Sequence, residues 1–290
     1  MALAIATNNA ALNAAASASS VNRDMETSMA RLSTGKRINS ASDDAAGVAI
    51  SSRLSAEIRG TDQAIRNSLD GQALIDTAEG AHKEIENILQ RMREVAVQSA
   101  NDTNNGQDRA NLQAEMEAMV TEIDRIAGTT TWAGANLMDA SAGTTFSFQV
   151  GAATGAQNQI AVSMKSMNAT GLLVKDGTGN LISVVETTVG TSGDAAANAR
   201  TGTGLIDTAI KNVNIQRSQL GAVSNRLNHT VNNLTNISSN LQAAKGGIED
   251  ADFALETTNL AKNQILQQAS TAMLAQANAS KQNVLSLLQG

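Results

Sequence analysis

Six apolar residues recur at seven-residue intervals in the second half of the sequence, and this repeat constrains the fold more than any other feature. They are Ile206, Val213, Leu220, Leu227, Leu234 and Leu241, with Val223, Val231 and Ile237 on the same predicted face. A sustained heptad repeat is typical of a coiled-coil seam. The 290 residues include no proline, the residue that most often breaks a helix, so long uninterrupted helices are expected.

Apolar residues also recur at helical spacing in the first half and at the C-terminal end. The groups are Val21, Met25, Met29 and Leu32; Ile85, Ile88, Met92 and Val95; Leu112, Met116, Met119, Ile123 and Ile126; and, after Gly246-Gly247, Leu266, Met273, Val284 and Leu288. Each group predicts an amphipathic helix. Asn104-Asn105-Gly106 predicts a reversal between antiparallel helices.

The middle of the chain has a different pattern. Residues 145–150 and 159–164 alternate apolar and polar side chains, which predicts two strands joined by a turn over Gly151 to Gly155. A polar tract from about residue 177 to 204, which includes Gly202 and Gly204, predicts an exposed loop. The predicted fold is therefore mainly α: a long antiparallel helical hairpin or coiled-coil bundle with a small β-hairpin region at the middle of the chain.

Charge and composition argue against several classes of function. Acidic and basic residues are interspersed and the formal net charge is -6, so we expect no nucleic-acid-binding surface. No segment approaches the roughly 20 consecutive apolar residues that a membrane span requires. Residues 1–9 lack the basic and long apolar regions of a secretory signal. With no nucleophile–base pair and no metal-ligand cluster, we predict no enzyme activity and no cofactor.

Four sets of side chains have both a structural and a functional interpretation. His82 and His229 are interpreted as solvated helix residues rather than metal ligands. Asp43 and Asp44 are interpreted as caps of a helix N-terminus rather than a catalytic carboxylate pair. The methionines at 25, 29, 116 and 119 are interpreted as packing between helices rather than a promiscuous binding groove. Arg91, Arg93 and Glu94 form a charged cluster that is usually a solvated face.

Three segments resemble a known family. Leu32 to Gly47, with the sequence LSTGKRINSASDDAAG, is similar to the N-terminal signature of bacterial flagellins, and residues 89–101, LQRMREVAVQSAN, resemble a second flagellin segment. A third resemblance covers residues 264–269, 275–278 and 282–288. The similarity extends over about the first 140 and the last 90 residues, in the order that the family has.

The resemblance implies a structural, non-enzymatic subunit that polymerises into the extracellular flagellar filament used for motility. It implies an inner terminal-helix domain (1–43 plus 248–290), a helical bundle domain (44–140 plus 200–247) and a short β-containing, variable and exposed region (141–199). The implied partners are other copies of the chain, flagellar cap and hook-associated proteins, and an export chaperone. Export would use the flagellum's own secretion channel, without a cleaved signal peptide. The alternative is a hook–filament junction protein, which has similar termini.

The terminal helices are rich in alanine and have narrow apolar stripes. Two alanine-rich helices bury little apolar area against each other, at about 25 cal/mol per Å², against the entropy of ordering each residue. We therefore expect the terminal helices to become ordered on self-association. The predicted assembly residues are Val21, Met25, Met29, Leu32, Leu266, Met273, Val284 and Leu288.

The resemblance also implies two further sites. Many flagellins are ligands of a Toll-like innate immune receptor, and the matching positions are Gln90, Arg91, Val95 and Glu115. Val95 replaces the usual leucine and Met119 replaces a frequent arginine, so we expect weakened recognition. The family suggests O-linked glycans, for which the candidates are Ser141, Thr178, Thr187, Thr188, Thr191 and Ser192.

Overall fold

Five α-helices make up most of the computed structural model, which describes residues 7–139, 144–172, 174 and 192–289, with side chains at all of these except 144, 192–195 and 281–289. The helices are α1 (Asn9–Thr34), α2 (Ala45–Ser99), α3 (Gly106–Thr129), α4 (Ser192–Glu249) and α5 (Phe253–Gln289). Two short hairpins are formed by β1 (Thr131–Trp132) with β2 (Ala135–Asn136), and by β3 (Thr144–Gln149) with β4 (Gln159–Met164). The predicted mainly α fold with a small β-hairpin region is confirmed.

The chain divides into two compact units. Residues 1–58 and 239–290 form one, which we call the terminal unit, and residues 59–238 form the other, the middle unit. The boundaries fall within α2 and α4. The three-part division implied by the family resemblance stays a prediction.

In the middle unit the chain reverses between α2 and α3, at the predicted place. The side chain of Asn105 accepts a hydrogen bond from the backbone N–H of Asp108 at 2.9 Å, and the Asp108 carboxylate accepts one from the Asn105 N–H at 3.1 Å. This reciprocal cap satisfies two backbone donors at the start of α3. Arg91 of α2 lies 2.8 Å from Glu115 of α3, as expected for antiparallel neighbours.

The heptad residues of α4 contribute to the core of the middle unit. The first five, from Ile206 to Leu234, are at most 8% exposed. The prediction for Ile237 is wrong, because its side chain is 36% exposed while the neighbouring Ser238 is buried. Ser238 donates a hydrogen bond to Asp62 of α2 at 2.9 Å. A helix with 3.6 residues per turn drifts relative to a seven-residue repeat, so the face against α2 moves by one position.

The β3–β4 hairpin lies where the alternating segments predict it. Phe146 is paired opposite Val162 in an antiparallel register. Val162 is buried in the core of the middle unit, and Phe148 packs against α2 at Gly71. A Cβ atom at Gly71 would lie 3.2 Å from the Phe148 ring, so the absence of a side chain allows this close approach.

The β1–β2 hairpin is not predicted by the sequence analysis. Its two turn residues, Ala133 and Gly134, have φ angles of 49° and 83°. Positive φ at both positions is the feature of a two-residue type I′ turn, whose right-handed twist matches that of the strands. The usual sequence signal is Asn-Gly or Asp-Gly, and Ala-Gly is a weaker one, which is why the pattern is missed.

The interpretation of His82 as a solvated residue is wrong. Its side chain is 1% exposed, and its Nδ1 atom lies 2.6 Å from the carbonyl oxygen of Ala78. Burial lowers the pKa of His82 below its usual value because the charged imidazolium would lose its hydration. His82 lies on the same face of α2 as the buried Ile75, Ala78 and Ile85. His229 is exposed, as expected.

The predicted loop at residues 177–204 is corrected at its C-terminal end. The helix α4 begins at Ser192, so Gly202 and Gly204 are helical residues and not loop glycines. The alanines at 195–197 and 199 favour this early start, because alanine has the highest helix propensity. Residues 177–191 of the predicted loop lie outside the described residues.

Candidate assembly surface

The ends of the helices in the terminal unit are linked by backbone hydrogen bonds. The helix α1 begins at the cap residue Asn8 and ends at Gly35, whose φ of 69° is the left-handed conformation that favours glycine. The Ala251 N–H donates to the Gly35 carbonyl at 3.0 Å, and the Arg37 N–H donates to the Glu249 carbonyl at 2.6 Å. The C-terminal end of α1 is thereby held against the junction between α4 and α5.

The junction between α4 and α5 lies later than predicted. The sequence predicts the break at Gly246-Gly247, whereas α4 continues through both glycines to Glu249. The carboxylate of Asp252 accepts hydrogen bonds from the N–H groups of Ala254 and Leu255 at 2.9 and 3.1 Å. A side-chain acceptor that satisfies the first free N–H groups is what begins a helix, so Asp252 determines where α5 starts.

The helices α1 and α5 are antiparallel partners, and polar side chains link them along their length. Asn8 donates to the Ala277 carbonyl at 3.1 Å near one end, and Gln267 donates to Asn22 at 2.8 Å near the middle. At the other end Arg31 forms an ion pair with Glu256 at 3.0 Å. Because these contacts bury few large apolar groups, the pair gains little stabilisation from hydrophobic burial.

Large apolar side chains on the same two helices point away from this pairing. In the described part of the chain, twelve large hydrophobic side chains are exposed, and eight of them belong to the terminal unit. Seven lie on α1 and α5, with exposed fractions from 39% to 67%: Leu12, Met29, Phe253, Leu255, Ile265, Leu266 and Met273. We call these seven residues the apolar surface. Because most of the exposed large apolar side chains of the described chain lie on these two helices, we expect the helices to pack against a further partner.

The predicted assembly residues divide into three groups. Val21, Met25 and Leu32 are half-buried, whereas Met29, Leu266 and Met273 are exposed. The side chains of Val284 and Leu288 are not described. Their role in assembly stays a prediction.

Four residues of the apolar surface are not predicted from the sequence: Leu12, Phe253, Leu255 and Ile265. The partly covered positions of α1 and α5 mix small or polar residues with Val21, Met25, Leu32, Leu260 and Leu274, so one stripe of large apolar residues does not separate the covered side chains from the exposed ones. The interpretation of Met29 as packing between helices is wrong for the single chain, because its side chain is 53% exposed. Met116 is buried, as predicted, and Met25 and Met119 are half-buried.

The predicted receptor positions lie on α2 and α3 of the middle unit. Gln90, Arg91 and Glu115 are exposed, and the hydrogen bond with Glu115 raises the pKa of Arg91 above its usual value. A second ion pair joins Arg91 to Glu94 at 3.0 Å. Val95 is 0% exposed and lies in the core, so its side chain is not available to a receptor in the folded chain.

The two aspartates before α2 act as structural acceptors. Asp44 accepts a hydrogen bond from the Gly47 N–H at 2.8 Å and so caps α2, as predicted. Asp43 accepts from the N–H groups of Ser40 and Asn39, which lowers the pKa of Asp43 because these bonds stabilise its charged form. The prediction for Asp43 is therefore wrong, because its carboxylate binds the backbone of the turn before α2 and does not cap the helix.

The predicted glycosylation residues Ser141, Thr178, Thr187, Thr188 and Thr191 lie outside the described residues, and Ser192 begins α4 without a described side chain. Glycosylation at these positions stays a prediction. Among the described residues, no cluster of three metal-binding side chains is present. None of the described helices has a segment long and apolar enough to cross a membrane.

Comparison with known proteins identifies the relatives of this chain. Residues 5–143 match the family model for the bacterial flagellin N-terminal helical region, and residues 203–288 match that for the C-terminal helical region. A flagellin of Halalkalibacterium halodurans is 46% identical over 90% of each chain, and a Bacillus subtilis flagellin is 43% identical over 97% of this chain and 98% of its own. A solved structure described as a flagellar hook-associated protein of Vibrio parahaemolyticus is similar in fold, with a TM-score of 0.56, 17% identity, and coverage of 72% of this chain and 100% of that one.

Proposed function

The chain belongs to the bacterial flagellin family and is a structural subunit of the flagellar filament, and from this premise we propose that its apolar surface drives polymerisation. In this proposal α1 and α5 of one subunit pack against the same helices of neighbouring copies. The contacts are heterologous, so they extend the polymer and do not close it into a ring.

The observation that supports this proposal is the mismatch between the two faces of α1 and α5. No large apolar side chain on the described parts of α1 and α5 is fully buried, whereas Ile265 and Phe253 are each 67% exposed. Complete burial of a fully exposed large apolar side chain contributes about 1.5–3 kcal/mol, and covering the exposed part of each of these side chains contributes a share of that free energy. The seven residues of the apolar surface together would supply the gain in free energy that the α1–α5 pair lacks by itself. The ordering of the terminal helices is therefore coupled to polymerisation.

Electron microscopy with filament seeds tests this proposal. The full chain should extend the seeds into long filaments, and chains lacking residues 1–40 or 250–290 should not. Circular dichroism should show that the truncated chains keep the helices of the middle unit. Filament growth from either truncated chain would contradict the proposal.

A role as a hook–filament junction protein is the alternative within the same assembly. The fold similarity to the Vibrio parahaemolyticus structure does not favour it, because at 17% identity the comparison shows the fold alone. The flagellins of Halalkalibacterium halodurans and Bacillus subtilis match over nearly their whole lengths, which favours the filament role. A full chain that caps seeds without extending them would support the junction role.

For its location and further partners, we propose that the chain is exported through the flagellum's own secretion channel without a cleaved signal peptide. Before export it would bind a chaperone, and at the growing tip it would contact cap and hook-associated proteins. Family membership supports these partners.

We also propose recognition by a Toll-like innate immune receptor through the exposed Gln90, Arg91 and Glu115. The buried position of Val95 restricts the contact to the polar side chains around it. Arg91→Ala should reduce the response of a receptor-reporter cell by about fivefold or more, the effect typical of an interface residue that contributes to binding.

The matched control for the receptor assay is Arg125→Ala. Arg125 is an exposed arginine on α3 that pairs with Glu122 at 2.6 Å, much as Arg91 pairs with its own glutamates. Equal responses from the Arg91 and Arg125 variants would contradict the proposed contact.

A further inference from the structure

The methionines of this chain differ sharply in their exposure. Among those with described side chains, five are at most 2% exposed: Met92, Met116, Met138, Met164 and Met167. Met25 and Met119 are half-buried. Met29 and Met273 are 53% and 64% exposed, and both belong to the apolar surface. Since the chain contains no cysteine, methionine supplies all of its sulfur.

Exposed thioethers react with peroxides. The sulfur of methionine attacks one oxygen of hydrogen peroxide, the O–O bond breaks, an S–O bond forms and water is released. The sulfur loses two electrons and the peroxide gains them. The product, methionine sulfoxide, is polar, and methionine sulfoxide reductases can convert it back with a thiol reductant.

We propose that Met29 and Met273 are peroxide-oxidation sites of the unassembled subunit, and that their oxidation blocks its addition to a filament. This inference rests on the proposed role of the apolar surface. A sulfoxide at either position places a strongly polar group where the polymer requires an apolar contact. In the assembled filament the same two sulfur atoms are covered, so assembly protects them.

The position of the two residues on their helices separates the effect on assembly from an effect on folding. Met29 follows the buried Ser28 on α1, and Met273 precedes the half-buried Leu274 on α5. Each side chain is directed outward from the α1–α5 pair, so an added oxygen meets solvent in the monomer whether or not the two helices are already paired there. The monomer should therefore keep its helical content after oxidation.

Peptide mapping by mass spectrometry tests the selectivity of the reaction. The full chain is treated with hydrogen peroxide as a monomer and then digested after quenching. Met29 and Met273 should each gain one oxygen atom before any of the five buried methionines does. Equal rates at the exposed and buried positions would overturn the proposal, as would faster reaction at Met116 or Met138.

Seeded polymerisation tests the consequence of oxidation. Peroxide treatment should raise the critical concentration for growth by about tenfold or more. Losing the apolar burial of the two methionines should weaken the association constant by about that factor. Treatment with both stereospecific methionine sulfoxide reductases should restore growth. Filaments treated after assembly should resist modification at both positions.

The double variant Met29→Leu with Met273→Leu removes both sulfur atoms and keeps apolar side chains of similar size. Each variant is compared before and after treatment, so any effect of leucine on polymerisation itself cancels. The treated-to-untreated ratio of critical concentrations should be close to one for this variant and remain large for the control Met119→Leu. A large ratio for the double variant would overturn the inference.

Different results would contradict the proposed assembly function and the inference about oxidation. If untreated full chain does not extend seeds, the proposed assembly function fails, whatever the mass spectra show. If untreated chain polymerises and oxidation at Met29 and Met273 leaves growth unchanged, only the inference about oxidation fails.

Discussion

Replacing Leu266 with aspartate should raise the critical concentration for filament growth by roughly a hundredfold or more. Leu266 lies on α5 and is 39% exposed in the subunit, where aspartate can be hydrated. In the proposed polymer contact, the variant loses the burial of leucine and must desolvate a carboxylate, which together cost about 3 kcal/mol or more. That free energy corresponds to roughly a hundredfold in an association constant.

Two comparisons make the Leu266 experiment specific. Leu266→Met conserves volume and apolar character, so its critical concentration should lie far closer to that of the unmodified chain. The circular dichroism of Leu266→Asp should match that of the unmodified monomer, because the side chain lies outside the α1–α5 pair. Seeded growth of Leu266→Asp at the normal critical concentration would show that this part of α5 is not an assembly contact.

The largest expected effect on the stability of the middle unit comes from Arg109. This side chain is only 5% exposed at the start of α3. Its Nε donates to the carbonyl of Ser99 at 3.1 Å, and one terminal nitrogen donates to the carbonyl of Asn101 at 3.2 Å. The same nitrogen lies 3.4 Å from Asp102, whose own side chain is 78% exposed. The guanidinium therefore acts mainly by capping the C-terminal end of α2.

Arg109→Ala should lower the free energy of unfolding by about 3 kcal/mol. The change removes the charged donor that binds the carbonyl oxygens of Ser99 and Asn101, and it leaves a cavity. Urea denaturation followed by circular dichroism measures the change. Arg109→Lys keeps the charge but not the planar fork, so we expect an intermediate loss. Arg125→Ala removes an exposed arginine from the same helix and should leave the midpoint unchanged. If the Arg109 and Arg125 variants have the same midpoint, the capping role is wrong.

Much of the fold follows from local patterns. The heptad repeat predicts the long helix α4, and alternating residues predict β3 and β4, because both signals depend only on the geometry of the element itself. The reversal at Asn104-Asn105-Gly106 is predicted for the same reason, since a turn is decided by residues that are neighbours in sequence. The start of α4 is missed because the two glycines in its first turns are a local signal for a loop, while alanines and packing favour a helix.

The candidate site is predicted only in part. Met29, Leu266 and Met273 are found because they are large apolar residues at helical spacing. Leu12, Phe253, Leu255 and Ile265 are missed because an amphipathic helix has one recognisable apolar stripe, whereas α1 and α5 have both half-buried apolar side chains, such as Val21 and Leu274, and the exposed ones of the apolar surface. A pattern of hydrophobicity does not distinguish the partner within the chain from a partner outside it.

The sequence by itself determined the helical class, the order of the long helices, the position of the main hairpin and the membership of the flagellin family. Only the tertiary structure decided which side of each helix is covered. In the folded chain His82 and Val95 are buried, and Ser238 is buried at the α4 seam where the heptad pattern predicts Ile237. The apolar surface of α1 and α5 is exposed. The physical reason is that helix formation depends on nearby residues, whereas burial depends on which other elements pack against a given face.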